Sequence, residues 1–188
     1  EGVRNRALTD VLEPGSVVKP FVVAAAMEAG LARPDMLIDT APGYMTVSGH
    51  TIEDFRNYGE LTVTGVLTKS SNVGVVQLAM AMDAQHMWSM YSRLGFGRVT
   101  GSGFPGESAG VLRDYQRWRK LEQATLAYGY GLSVTPLQLA RAMAAVADGG
   151  RLRQPSFILD SDNPTQSVMD PALADRLALM LETVTGPD

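Results

Sequence analysis

The sequence predicts a mostly α-helical chain, and three observations carry that expectation. The stretch from Val17 to Ala29 is apolar nearly all round and stops at Gly30, the pattern of a helix buried on every side and closed by a residue that accepts the left-handed C′ conformation. Thr135-Pro136-Leu137-Gln138 offers a Thr cap, Pro at the first helical position and Gln three residues beyond the cap, which together make a capping box. Convincing strand alternation is nearly absent. Arg153 to Asp160 is the best strand candidate in the chain.

Taken in order, Glu13-Pro14-Gly15-Ser16 is a turn that opens into the first buried helix, with Pro20 in its first turn, where a missing N–H costs little. Residues 31 to 60 scatter Pro, Gly and Asp around short β-like pieces such as Tyr44 to Val47, so an irregular region with a small hairpin is expected. Thr62 to Lys69 reads as a short helix and Val73 to Met82 as a strong one. Asp83 is placed to cap a third, which runs to Leu94 and stops at Gly95. Gly101 to Gly110, rich in Gly, Ser and Pro, is a loop. Helices are then expected over Glu122 to Tyr128, from Thr135 to about Ala147, and from Asp170-Pro171 to about Thr183.

Composition bounds the function. The 188 residues, 45% hydrophobic, suffice for one core and a single domain. A net charge of −4 gives no basic footprint, so no nucleic-acid partner is expected. The cluster Arg113, Arg117, Arg119 and Lys120 is interrupted by Asp114 and reads as a solvated face. Cysteine is absent, and the two histidines, His50 and His86, form no H-E-x-x-H arrangement, so neither a metal nor a cofactor is called for. The longest apolar run, Phe21 to Met27, falls far below the roughly 20 residues that cross a bilayer. The chain opens without an initiator Met, which reads as excision from a longer polypeptide.

The chemistry sits in two constellations. Ser16-Val17-Val18-Lys19 puts a hydroxyl at a helix N-terminus and an amine one turn later on the same face. A serine hydroxyl is a weak nucleophile until a neighbouring base takes its proton. Lysine serves as that base only if desolvation or positive potential lowers its pKa. The apolar stretch from Phe21 supplies the first and the helix N-terminus the second. The bland alternative is a Ser cap followed by a solvated Lys. The second constellation is Lys69-Ser70-Ser71-Asn72-Val73-Gly74. Ser70 offers a hydroxyl that can relay a proton, and Asn72 an amide that both donates and accepts. Alternatively, Ser70 to Asn72 merely cap the helix that follows.

The order and separation of these segments is similar to the first two signatures of penicillin-binding proteins. Glu13-Pro14-Gly15-Ser16-x-x-Lys19-Pro20 precedes Lys69-Ser70-Ser71-Asn72-x-Gly74 by a spacing that suits class B members. The likeness continues through Leu94-Gly95-Phe96-Gly97, Phe104-Pro105-Gly106-Glu107-Ser108-Ala109-Gly110, and Tyr128 to Arg141. The chain most resembles the division-specific class B transpeptidase of Gram-negative bacteria. The resemblance implies the helical part of the penicillin-binding transpeptidase and serine β-lactamase-like fold, with most of its sheet strands outside the chain. It implies a periplasmic location, anchored to the inner membrane by a segment not in this sequence, and division machinery as a partner. Its implied substrates are peptidoglycan stem peptides, with β-lactam antibiotics as mimics.

Carried over by the same resemblance, Ser16 is the nucleophile, Lys19 the base, Ser70 the proton relay, and Asn72 a contact to the substrate amide and the lysine. The Ser16 backbone N–H is half of an oxyanion hole. Tyr130 is either an aromatic wall of the cleft or a buried core tyrosine. The third family signature, Lys-Ser/Thr-Gly, does not occur: the lysines are Lys19, Lys69 and Lys120, and Thr185-Gly186 follows Val184. A partial domain, poorly reactive by itself, is therefore expected.

Three other readings compete. Gly106-Glu107-Ser108-Ala109-Gly110 fits a nucleophile elbow, but Gly101 to Pro105 cannot make the strand that must precede it and no His follows His86. A β-lactamase or β-lactam sensor of the same fold would share the serine and lysine, although Ser70-Ser71-Asn72 replaces the Ser-Asp-Asn of class A lactamases. A scaffold with an idle serine is the third. Gly95-x-Gly97-x-x-x-Gly101 is one residue too long for a dinucleotide fingerprint.

Overall fold

The computed structural model describes residues 4–186. Eight helices and six short strands follow in the order α1 (Arg6–Thr9), α2 (Lys19–Glu28), β1 (Leu37–Asp39), β2 (Tyr44–Val47), β3 (His50–Glu53), β4 (Glu60–Thr62), α3 (Val63–Thr68), α4 (Asn72–Ala81), α5 (Ala84–Arg93), α6 (Lys120–Ala127), α7 (Pro136–Ala147), β5 (Arg151–Arg153), β6 (Thr165–Ser167) and α8 (Pro171–Glu182). A 3-10 turn over Gly15–Val18 leads into α2.

The expected central helix is central. Every residue of α2 from Lys19 to Ala26 is buried, and the helix packs on α4, α5 and α8. An apolar surface that wraps the whole helix demands neighbours on all sides. Its end is a Schellman motif. Gly30 N–H donates to the Met27 carbonyl at 3.0 Å and Leu31 N–H to Ala26 at 2.9 Å, with Gly30 at φ +72°.

Buried polar side chains tie the helices together. Gln123 on α6 donates to the carbonyls of Ala79 and Met82 at the end of α4, at 2.7 and 3.0 Å. The Tyr91 hydroxyl on α5 donates to the Leu126 carbonyl on α6 at 2.9 Å. The bonds from Gln123 satisfy carbonyls that the end of α4 leaves without partners, and Leu126 accepts from Gly129 N–H as well, at 3.2 Å.

Among the described residues the strands form three antiparallel two-stranded ladders, β1 with β4, β2 with β3, and β5 with β6, beside the isolated bridges Leu12–Val134 and Val111–Ser133. The hairpin expected around Tyr44 to Val47 is β2–β3, and Ser48 and Gly49 turn it with φ of +50° and +82°, the signature of a tight hairpin turn whose two central residues are both left-handed. Of the best strand candidate, Arg153 to Asp160, Arg153 alone lies in a strand. Only Arg151–Arg153 pairs, with Thr165–Ser167. Pro155 lacks a ladder donor, and the apolar Phe157, Ile158 and Leu159 are exposed with no strand beside them.

The capping box forms as its sequence requires. Gln138 N–H donates to Thr135 Oγ1 at 3.1 Å, and Thr135 N–H to Gln138 Oε1 at 2.7 Å. Gln138 also donates from Nε2 to the carbonyls of Arg98 and Ala109 at 2.7 and 2.8 Å, so one side chain both caps α7 and holds the Gly-rich loop. Thr135→Ala should therefore lower stability by about 1–2 kcal/mol, read as a reduced denaturation midpoint. An unchanged midpoint would show that the cap contributes nothing.

Candidate active site

The site begins with a buried amine. Lys19 is 2% exposed because α2 starts at that residue and points it beneath the turn joining α3 and α4. Its Nζ donates to the Ser70 carbonyl and, at 3.0 Å, to Ser70 Oγ. Burial lowers the amine from its ordinary 10.5 to about 8, against the opposing field of the Asp54 carboxylate. Among the described residues no carboxylate pairs with Lys19.

Ser70 reaches this position through a backbone device. Its N–H donates to the Leu67 carbonyl at 3.0 Å and Ser71 N–H to Val66 at 2.9 Å, the same Schellman closure that ends α2. Ser70 occupies the C′ position at φ +52°, where glycine is the relaxed choice. The neighbouring Ser71 is the cap of α4, accepting from Gly74 N–H at 2.8 Å. Ser70 therefore ends one helix and Ser71 begins the next. That division resolves the capping alternative, since the cap role falls to Ser71 and leaves the Ser70 hydroxyl facing the lysine.

Asp54, which the sequence reading did not single out, organises the same junction. It accepts from Ser71 Oγ at 2.6 Å, from Asn72 N–H at 2.5 Å and from Val73 N–H at 3.0 Å. A carboxylate at a helix N-terminus satisfies otherwise unpaired N–H groups and the helix dipole. Its neighbours in sequence give no sign of this role. The pairing itself is long-range and leaves no periodic trace.

Ser16 lies on the exposed side of the 3-10 turn. It lines a cavity of about 270 Å³ together with Lys19, Ser70, Leu67, Met143 and Leu181. No hydrogen bond joins Ser16 to Lys19 among the described residues; unliganded sites often hold such pairs apart until substrate binds. As an early residue of a helical turn, Ser16 has a backbone N–H outside the intrahelical ladder. The turn is fixed from behind by Gly129-Tyr130-Gly131. Gly15 N–H donates to the Gly129 carbonyl at 3.2 Å and Gly131 N–H to Glu13 Oε1 at 2.9 Å. A Cβ on Gly129 would overlap the Gly15 carbonyl.

Asn72 and Tyr130 sit differently from the core trio. The Asn72 amide donates to the Glu53 carbonyl at 2.8 Å, and the lysine contact expected of it is not formed. Tyr130 is 52% exposed and stacks at a tilt on Tyr128, centroids 5.6 Å apart, so it is not a core tyrosine. Neither residue lines the Ser16 cavity. The structure thus brings Ser16, Lys19 and Ser70 together and leaves Asn72 and Tyr130 outside.

A helical frame that buries a lysine beneath a serine-bearing turn is the frame of the penicillin-binding protein transpeptidase domain; that family matches residues 2–188, and the chain belongs to it. The peptidoglycan D,D-transpeptidase FtsI of Escherichia coli is 44% identical over 188 residues, all of this chain and 32% of that protein. The chain thus spans about a third of the length of such curated relatives. The transpeptidase domain of Burkholderia pseudomallei penicillin-binding protein 3 superposes with a TM-score of 0.94 at 44% identity, covering 98% of this chain and 56% of that one. A peptidoglycan glycosyltransferase structure from Burkholderia ambifaria gives 0.93 at 43%, covering 98% and 59%. The fold is a part of the penicillin-binding transpeptidase fold.

The left-handed Ser70 makes a clean test of how backbone and side chain divide the work. Ser70→Gly and Ser70→Ala both remove the hydroxyl, but only glycine relaxes the backbone. The Gly variant should be more stable than the Ala variant by about 1–2 kcal/mol, measured by chemical denaturation. Equal stabilities would remove the strain argument.

Proposed function

We propose that this chain is the helical, nucleophile-bearing part of a serine D,D-transpeptidase that cross-links peptidoglycan stem peptides and is acylated by β-lactams. One observation carries the reading: a buried, hydrogen-bonded Lys19 amine shares a cavity with Ser16 and Ser70. Membership of the family supports it, as do relatives named D,D-transpeptidases.

The steps follow from the donors and acceptors present. A neutral amine has two N–H donors and one lone pair, and both donors go to Ser70. The lone pair takes the Ser16 proton as Oγ bonds to the penultimate D-Ala carbonyl carbon. The C–N bond to the terminal D-Ala breaks, and the proton passes from Lys19 through Ser70 Oγ to the leaving nitrogen. An amine of a neighbouring stem then attacks the ester. Its proton returns along the same path, and Ser16 is released. The Ser16 N–H faces the developing oxyanion, and the Asn72 amide, outside the Ser16 cavity and bonded to the Glu53 carbonyl, turns to contact the peptide. Tyr130 supplies an aromatic wall further out.

The same reading makes the chain one partial domain whose remaining strands, with the Lys-Ser/Thr-Gly signature and the second oxyanion donor, lie elsewhere in the protein. Exposed apolar residues such as Val17, Leu179 and Val184 fit a face made to be covered. The placement on the periplasmic side of the inner membrane and the division partners belong to this proposal as well. Among the described residues no helix is long and apolar enough to cross a membrane.

Mass spectrometry of the full-length protein after benzylpenicillin should show one adduct, absent in Ser16→Ala, while residues 1–188 alone label poorly or not at all. An unmodified full-length protein would defeat the enzyme reading in favour of a scaffold, and sustained hydrolysis would point to a lactamase.

The acylation rate should also depend on pH in a defined direction. With the amine at about 8, roughly a tenth of it is neutral at pH 7, so the rate should rise with pH and level off above about 8. The Asp54 charge raises the Lys19 pKa; Asp54→Asn should therefore move the midpoint to lower pH. A midpoint moved upward, or a flat profile, would remove Lys19 from the role of base.

A further inference from the structure

A second cavity, of about 320 Å³, opens away from the Ser16 site and shares no residue with it. Its wall carries three guanidinium groups, from Arg93 at the end of α5, Arg98 in the loop that follows, and Arg141 on α7. Arg93 is neutralised by a fork-like pair with Glu28. The other two have no carboxylate partner among the described residues. Arg98 makes only a 3.5 Å contact with Ser92 Oγ, and Arg141 donates from Nε to the Arg153 carbonyl at 2.6 Å.

The site is built rather than incidental. Arg141 is half-buried, and that burial pulls its guanidinium below the ordinary value while the Glu107 carboxylate opposes the shift. The Glu107 oxygens are occupied by Thr100 N–H at 2.6 Å and Ser102 Oγ at 2.8 Å. Gly95 leaves room for the Arg141 fork, since a Cβ there would come within 3.1 Å of an Arg141 terminal nitrogen. Gln138 pins the Arg98 carbonyl at 2.7 Å and Gln154 Nε2 the Gly101 carbonyl at 2.5 Å, so the loop that carries Arg98 is held at both ends. Two of the three buried side-chain atoms without a hydrogen-bond partner among the described residues, Arg93 Nε and Thr100 Oγ1, belong to residues of the same wall.

We propose that this cavity is a binding site for a phosphate-class dianion. Two unpaired guanidinium forks call for two negative charges and for oxygens in a bidentate arrangement. A phosphate monoester supplies both, with a charge of about −1.5 to −2 at neutral pH; a single carboxylate supplies half the charge. Helix α7 carries Arg141 into this cavity and Met143 into the Ser16 cavity, so occupation stiffens an element that both sites share.

The test uses the full-length protein and inorganic phosphate and pyrophosphate, compared with chloride at the same ionic strength. Either phosphate probe should raise the Tm by about 3 °C or more near saturation. The rise should disappear in Arg98→Gln, whose side chain is exposed and makes no strong bond, while penicillin labelling at Ser16 persists. Arg141→Lys, which keeps the charge and loses the fork, should weaken the response at least tenfold. Cosedimentation with vesicles containing phosphatidic acid, abolished by Arg98→Gln, would assign the phosphate to a lipid headgroup; a response to the soluble anions without vesicle binding assigns it to a free ligand. Both results support the site. A shift matched by chloride, a shift undiminished in both variants, or no response in either arm overturns it.

Discussion

Burying a lysine is what the rest of the molecule is arranged around. An ammonium taken out of water without a partner costs several kcal/mol, and the group responds by giving up its proton more readily. Lys19 is removed from solvent by α2, by the α3–α4 turn above it and by the apolar side chains of Leu67, Met143 and Leu181 around its cavity. A carboxylate bonded directly to it would repair that cost and fix the charge. Asp54 is close enough to act on the amine through its field, yet its oxygens are taken by the Ser71 hydroxyl and the first N–H groups of α4. The lysine is thus left with neutral acceptors only, and its affinity for a proton is set between that of a solvated amine and that of an isolated buried one.

The backbone around the lysine is shaped to the same end. A helix that ends in a Schellman turn ordinarily places glycine at the left-handed position, as α2 does at Gly30 and α5 at Gly95. The end of α3 places Ser70 there. A left-handed serine costs about 1–2 kcal/mol, and the return is a hydroxyl and a carbonyl from one residue aimed at a single amine. At the Ser16 turn the opposite choice is made. Gly129 lies so close to Gly15 that a side chain on Gly129 would overlap the Gly15 backbone, and the turn that carries Ser16 rests on this contact.

Much of this could be read in the sequence because the signals were local. Apolar residues all round a ten-residue segment mean burial, a Thr-Pro-x-Gln start means a capped helix, and Ser-x-x-Lys at a helix start puts two groups on one face. What escaped reading is what depends on contacts distant along the chain. Asp54 meets Ser71 and Asn72 across an intervening pair of elements, and nothing in its neighbours marks that destination. The direction of the Asn72 amide was equally hidden, since an asparagine next to a helix cap can turn its side chain to either side. Arg153 to Asp160, the best candidate in a chain with little strand pattern, pairs at Arg153 alone among the described residues: a strand needs a neighbour, and Pro155 with the exposed Phe157 to Leu159 run has none there.

The long-range character of the site also bears on how its amine is tuned. Ser16 and Lys19 are set by one turn of local structure, but the burial that lowers the Lys19 pKa is completed by groups distant along the chain, among them Ser70, 51 positions on, and Met143 and Leu181 of α7 and α8. Without those groups Lys19 would be an ordinary solvated lysine. The lowered pKa of the amine therefore depends on the completed core rather than on the sequence neighbourhood of Lys19. The same packing that buries α2 makes its first residue, Lys19, give up its proton more readily than a solvated lysine.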